Sequence, residues 1–170
     1  MKHTNVSTIN WKTIKKVVLL NLVGNTVGDN LAKVPIIVAL KRFIPHAEIT
    51  MTVSPRNKEL FDGLPELDHL VPLEELVDIS TTSAGLGKKM RKYFSLMRTT
   101  TKLLRTIKPD ICFVLEPNFA PSQLLPWIAR VPLRVGYIYK KGYFAWTLTH
   151  RTPFRGAYDT GEPEYHVREA

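Results

Sequence analysis

Cysteine occurs once in the 170 residues, as Cys112. A lone thiol forms no internal disulfide and no cysteine-based zinc centre, so a disulfide scaffold and a zinc ribbon are both excluded. Its neighbours, Ile111 to Leu115, are apolar and predict burial. No uninterrupted apolar run approaches the roughly 20 residues that cross a bilayer. The opening stretch, Met1 to Lys16, is polar and then basic, which does not describe a secretory signal, so the Asn5-Val6-Ser7 triplet carries no weight as a glycosylation acceptor. The chain also lacks G-x-G-x-x-G, a G-K-[ST] phosphate loop and G-x-S-x-G, leaving dinucleotide binding, ATP hydrolysis and triad hydrolysis without support. His150 and His166 have no partnered nucleophile, and no metal-ligand cluster is visible. Acidic residues are scarce: 15 Asp and Glu stand against 24 Lys and Arg, for a net charge of +9. That excess favours an anionic partner, whether a phosphorylated glycan, an anionic membrane face or nucleic acid, over a merely solvated surface. No RNA- or DNA-binding motif is present, so nucleic acid ranks last.

What is present is an alternation of strand and helix patterns. A tail to Lys16 reads as loose, and residues 17–170 read as one domain. Val17 to Val23 is an apolar, valine- and leucine-rich run interrupted by Asn21 alone, the pattern of a strand buried on both faces. Gly24 to Asn30 forms a loop, and a helix follows from about Asp29 to Arg42 with Pro35 near its first turn. Glu48 to Val53 alternates as a second strand. Ser54-Pro55 opens a short helix that ends near Gly63. Leu67 to Leu73 is a third strand. The longest helix runs from about Leu86 to Lys108, after a loop over Ser80 to Gly85. It sets Met90, Tyr93, Phe94, Met97, Thr101, Leu104 and Ile107 on one face, with Lys88, Lys89, Arg91, Lys92, Arg98, Lys102 and Arg105 filling much of the rest. That apolar face is read as core contact in preference to contact with an anionic leaflet. Ile111 to Leu115 is a strand, Pro121 to Arg130 a helix opened by proline, and Leu133 to Ile138 a further strand. Beyond Lys140 the period is lost, and loops with short elements are expected. The order predicts a Rossmann-like α/β fold: a parallel sheet built from right-handed βαβ units, with helices on both faces.

In such sheets ligands bind beyond the carboxyl ends of the strands. The first loop lies at that edge and ends on Gly28-Asp29, at the start of a helix. A carboxylate there can cap exposed amides, or it can face the crevice as a general base. Glu116 leaves a buried strand at the same edge, where it can bind an acceptor hydroxyl, cap or remain solvated. Lys140, Lys141, Arg151 and Arg155 can hold phosphates or acidic sugars, or form a solvated run. Tyr137, Tyr139, Tyr143, Phe144 and Trp146 can stack on sugar rings, although aromatic residues at this density more often pack.

Several stretches, taken in order, resemble glycosyltransferase family 9, the lipopolysaccharide heptosyltransferases. Val17 to Leu20 leading to Gly28-Asp29, with Pro35 in the next helix, resembles the family's opening. Phe43-Ile44-Pro45-His46-Ala47-Glu48-Ile49 is similar to its entry into the second strand. Leu67-Asp68-His69-Leu70-Val71-Pro72 resembles its third strand, Ile107-Lys108-Pro109-Asp110-Ile111 the strand that follows the long helix, and Arg134-Val135-Gly136-Tyr137 its "R-I-G-F" strand. His166-Val167 and Glu169 resemble the segment that precedes the interdomain crossing.

The resemblance implies the N-terminal, acceptor-side half of a two-domain transferase of the GT-B arrangement. The complete enzyme would move a sugar from a nucleotide-sugar to a lipopolysaccharide-type glycan, in the cytoplasm or peripheral to the inner face of the cytoplasmic membrane. It implies Asp29 as catalytic base. It also implies an acceptor contact surface over Gly28, Asn30, Glu116, Asn118, Lys140 and Lys141, with no metal and no cofactor beyond the nucleotide-sugar donor. Three departures stand out. Asn25-Thr26-Val27 replaces a Ser-rich approach to Gly-Asp. Leu115-Glu116-Pro117-Asn118 replaces Asp-x-Gln-Gly. The nucleotide-sugar domain is missing from the sequence, so the chain alone is expected to be inactive. The competing reading is a non-catalytic basic module that binds an anionic glycan, a lipid surface or nucleic acid.

Overall fold

The computed structural model describes residues 9–22, 26–73, 85–116, 120–138 and 144–153. Six strands form one sheet: β1 (Lys16–Leu20), β2 (Glu48–Val53), β3 (His69–Pro72), β4 (Ile111–Val114), β5 (Leu133–Ile138) and β6 (His150–Pro153). Their order is β3-β2-β1-β4-β5-β6, and every neighbouring pair is parallel. The chain moves outward from β1 to one edge and then returns to build the other half. The topological switch therefore falls between β1 and β4, where ligands of such sheets bind.

Strand β1 shows why the sequence reads as apolar throughout. Val17 and Leu19 enter one core with Ile37, Ile49, Met51 and Phe61. Val18 and Leu20 enter a second core on the opposite face, with Leu96, Leu104, Cys112 and Leu125. Both faces are covered, so no polar alternation survives in the middle of the sheet. At the centre of β5, Gly136 leaves room for Leu148. A Cβ placed there would lie 3.1 Å from Leu148 Cδ1 and 3.4 Å from Val114 Cβ.

A reciprocal pairing recurs at the amino edge of the sheet. Asp110, one residue ahead of β4, donates its N–H to the Lys16 carbonyl (3.0 Å) and accepts the Lys16 and Lys15 amides at Oδ2 (2.9 and 2.8 Å). Asp68, one residue ahead of β3, donates to the Ile49 carbonyl (3.0 Å) and accepts the Ile49 amide at Oδ2 (2.7 Å). Thr149, one residue ahead of β6, does the same with Arg134 through Oγ1 (2.8 Å). Each side chain satisfies an amide that the ladder leaves open and fixes the register of the strand it precedes.

The helices are α1 (Val27–Leu31), α2 (Val34–Phe43), α3 (Leu86–Ile107) and α4 (Ala120–Ile128), with 3-10 turns at Trp11–Thr13, Pro55–Leu60 and Ala145–Thr147. Several expectations are corrected. The single helix from Asp29 to Arg42 is two, broken at Ala32 and Lys33, because Pro35 lies in the first turn of the second and has no N–H to carry the first onward. The helix after Ser54 is a 3-10 turn, with Ser54 Oγ accepting the Arg56 amide as its cap. The tail is not loose over residues 9–15: Ile9 and Ile14 are buried in the first core, and Trp11 sits edge-on to Phe43 at 5.2 Å.

The face of α3 is rotated from its expected position. Leu96, Thr100 and Leu104 are buried and Tyr93, Met97, Leu103 and Ile107 pack partly beside them, whereas Met90 and Phe94 stand exposed. Beyond Lys140, where loops with short elements were expected, a short sixth strand, β6, completes the sheet. The predicted loop over Ser80 to Ala84 lies outside the described residues.

Candidate active site at the sheet crevice

At the carboxyl end of β1 the apolar run meets one polar residue, Asn21, which is buried. Its amide donates to Thr52 Oγ1 (2.8 Å), at the end of β2. Its side chain is the hub of a network. Asn21 Nδ2 donates to Asn30 Oδ1 (3.1 Å), and Lys33 Nζ donates to Asn21 Oδ1 (2.6 Å). Asn30 in turn donates from Nδ2 to the Thr26 carbonyl (2.8 Å). Thr26 is the cap of α1, and its Oγ1 accepts the Asp29 amide (3.0 Å). A continuous chain of hydrogen bonds therefore runs from Lys33 through Asn21 and Asn30 to the turn that carries Asp29.

This arrangement separates the two readings of Asp29. Thr26 caps the helix, while Asp29 is exposed at its third position, and among the described residues no donor is bonded to its carboxylate. Gly28 is exposed beside it. Asn30, expected to touch an acceptor, is fully buried and committed to Asn21 and Thr26, so it shapes the loop from beneath.

Glu116 is also buried. It follows β4 across the switch point from Leu22, whose amide donates to Glu116 Oε1. The expected open contact at Glu116 is thus a buried carboxylate that ties the ends of β1 and β4 together. Asn118, Lys140, Lys141, Tyr139, Tyr143, Arg155 and His166 lie outside the described residues. Among the aromatic residues, Trp146 packs edge-on against Trp127 at 5.2 Å.

Lys33 was missed by reading the sequence. It is 9% exposed, beneath the crevice floor. Burial lowers its pKa, and the carboxylates of Glu116 and Asp29 act in the opposite direction. The available signal was a lysine inside the otherwise apolar stretch Leu31 to Leu40. A basic residue there must either snorkel out or find buried acceptors, and this one finds Asn21.

Two further features lie elsewhere. Arg134, the first residue of the stretch that resembles an R-I-G-F strand, donates from its guanidinium to the Thr147 and Val131 carbonyls and holds that corner of the fold. A hollow of about 530 Å³ bordered by Leu104, Lys108, Asp110 and Val131 opens at the amino edge of β4, opposite the crevice.

The fold and crevice define a Rossmann-like α/β domain with its candidate site at the β1/β4 switch point. No family model matches the chain, and no curated protein matches it. Solved structures do match. The glycosyl transferase family 9 protein from Veillonella parvula DSM 2008 superposes with a TM-score of 0.66 at 20% identity, over 83% of this chain and 36% of that one. E. coli ADP-heptose lps heptosyltransferase II gives 0.60 at 20% identity, over 84% and 35%. E. coli heptosyltransferase WaaC, solved with ADP-2-deoxy-2-fluoro heptose, gives 0.59 at 10% identity, over 90% and 50%. The chain therefore has the glycosyltransferase-like Rossmann fold of these proteins and spans about a third to a half of their length. The family that the sequence resembles is among those whose solved structures share this fold.

Proposed function

We propose that this chain is the acceptor-side half of a heptosyltransferase-type glycosyltransferase, with Asp29 as general base. The single observation that carries the reading is the placement of Asp29: an exposed carboxylate at the switch point, on a helix capped by another residue and braced from below by Asn30, Asn21 and Lys33. The likeness of fold to family 9 structures supports it.

In the proposed reaction the Asp29 carboxylate takes the proton of an acceptor hydroxyl. The freed oxygen attacks the anomeric carbon of a nucleotide-sugar. The bond from that carbon to the diphosphate breaks, the electron pair leaves with the nucleotide, and the configuration inverts. Asn21, Asn30 and Lys33 keep the Asp29 turn in place, so little reorganisation is needed at the moment of reaction. The donor would be held by a second domain, and the acceptor would be an anionic, lipid-linked glycan, to which a chain of net charge +9 is complementary.

The test is a nuclear magnetic resonance titration of the chain with a phosphorylated inner-core oligosaccharide. Shifts are expected at Gly28, Asp29 and the residues that end β1 and β4. Shifts confined to other surfaces would reject the site.

A further inference from the structure

α3 carries two apolar stripes, and the sheet uses only one. Phe94 is 63% exposed and Met90 is 45% exposed, one helical turn apart on the same side. The Phe94 ring stands edge-on to Tyr93 at 6.1 Å. Beside it an open groove of about 630 Å³ runs from Tyr93, Phe94 and Met97 across to Ile128 on α4, with Arg98 and Lys102 also bordering it. At about 100° per residue, Arg91 and Arg98 fall within roughly 60° of Phe94 on the helix surface. No acidic residue occurs anywhere in Leu86–Ile107. The helix has 22 residues, yet no described helix is long and apolar enough to cross a membrane.

An exposed phenylalanine and methionine beside a one-signed cationic arc is the chemistry of a helix that lies in a bilayer interface. We propose that this face of α3 docks on an anionic lipid surface, with Met90 and Phe94 entering the acyl boundary and Arg91, Arg98 and Lys102 on the lipid phosphates. Charge complementarity selects this occupant. A second copy of the chain would bring the same cations against each other. A nucleic-acid backbone would satisfy the cations but leave the Phe94, Met97 and Ile128 lining of the groove without apolar contact. The surface is independent of the Asp29 crevice, so docking does not require that the chain transfer a sugar.

The experiment is flotation of the full chain with phosphatidylcholine vesicles, with and without phosphatidylglycerol. Binding is expected only with the anionic lipid and should fall as salt rises. Phe94→Ser leaves charge unchanged and removes an exposed side chain. It should lower the partition coefficient about tenfold or more while the thermal transition stays in place. The triple variant Arg91→Gln, Arg98→Gln, Lys102→Gln should lower it on the order of a hundredfold. Arg105 is left intact because it donates to the Ile128 carbonyl and ties α3 to α4. Absence of binding to anionic vesicles, or binding that Phe94→Ser does not alter, would overturn the proposal. So would a concentration-dependent dimer that Phe94→Ser disperses, which would assign the face to a second copy. Phe94-dependent binding to an oligonucleotide in place of vesicles would assign it to nucleic acid.

Discussion

Lys33 places its ammonium 2.6 Å from Oδ1 of Asn21, joining the helical segment after Asp29 to the end of the central strand. Both residues are buried, and Asn21 passes the constraint through Asn30 to the Thr26 cap. The candidate base is thus exposed while its foundation is not.

Replacing Lys33 with methionine keeps the volume and removes the cation on which Glu116 and Asp29 act. It also leaves the Asn21 carbonyl without its donor. The expected loss in urea unfolding is about 1–3 kcal/mol. A pH series adds a second readout. Burial lowers the folded-state pKa of Lys33 below the ordinary 10.5. Between the two values the unfolded chain binds more protons than the folded one, so the Lys33 contribution to stability rises with pH across that window. The methionine variant should lack that slope. An unchanged slope would mean that Lys33 is solvated.

Asp68 lets the reciprocal strand pairing be tested on its own. Desolvation raises its pKa, but the Ile49 amide and the Lys41 ammonium outweigh it, and the net shift is downward from 3.8. Its contribution is therefore complete above 3.8 and lost as pH falls through the lowered folded value. Asp68→Asn keeps an acceptor for Ile49 and should flatten the acid limb of stability. Asp68→Ala removes the acceptor and should cost about 1 kcal/mol at neutral pH. Equal acid limbs in wild type and Asp68→Asn would contradict the pairing.

Cys112 should be inert in the folded protein. It is fully buried, and desolvation, then the nearby Glu116 carboxylate, push its thiol far above the usual range. A thiolate-selective reagent at mildly alkaline pH should label it only as fast as the chain opens, and denaturant should accelerate labelling in step with unfolding. Labelling at the rate of a free thiol would show that the second core is open at β4.

The central strands were readable because burial on both faces leaves a continuous apolar run, as at Val17 to Leu20. Glu48–Val53 and Leu133–Ile138 agree with expectation to the residue. The orientation of α3 was not readable. Apolar residues at 90, 93, 94, 96, 97, 103, 104 and 107 cover too wide an arc, and only packing against α4 and the sheet selects Leu96 and Leu104 over Phe94. β6 was expected only as an unspecified short element, because His150-Arg151-Thr152-Pro153 has neither alternation nor β-branched density. It is an edge strand held by its ladder to β5, where proline is tolerated. At the candidate site, Asp29 is singled out by its place in a motif, whereas Lys33 and Asn21 are linked only by the fold. Asp68, Asp110 and Arg134, which also stand in stretches that resemble the family, bind backbone, and Asp68 also Lys41, away from the crevice.

The most direct test of the account is the transfer rate of Asp29→Asn in a two-domain protein that pairs this chain with a nucleotide-sugar domain, measured on a heptose-accepting glycolipid. The variant keeps the Thr26 cap and the Asn30 contacts, so folding and acceptor affinity should match the parent, while turnover should fall by about 10²–10⁴-fold, the range of a lost general base. Turnover within a few-fold of the parent, with acceptor affinity intact, would contradict the assignment of Asp29 as the base.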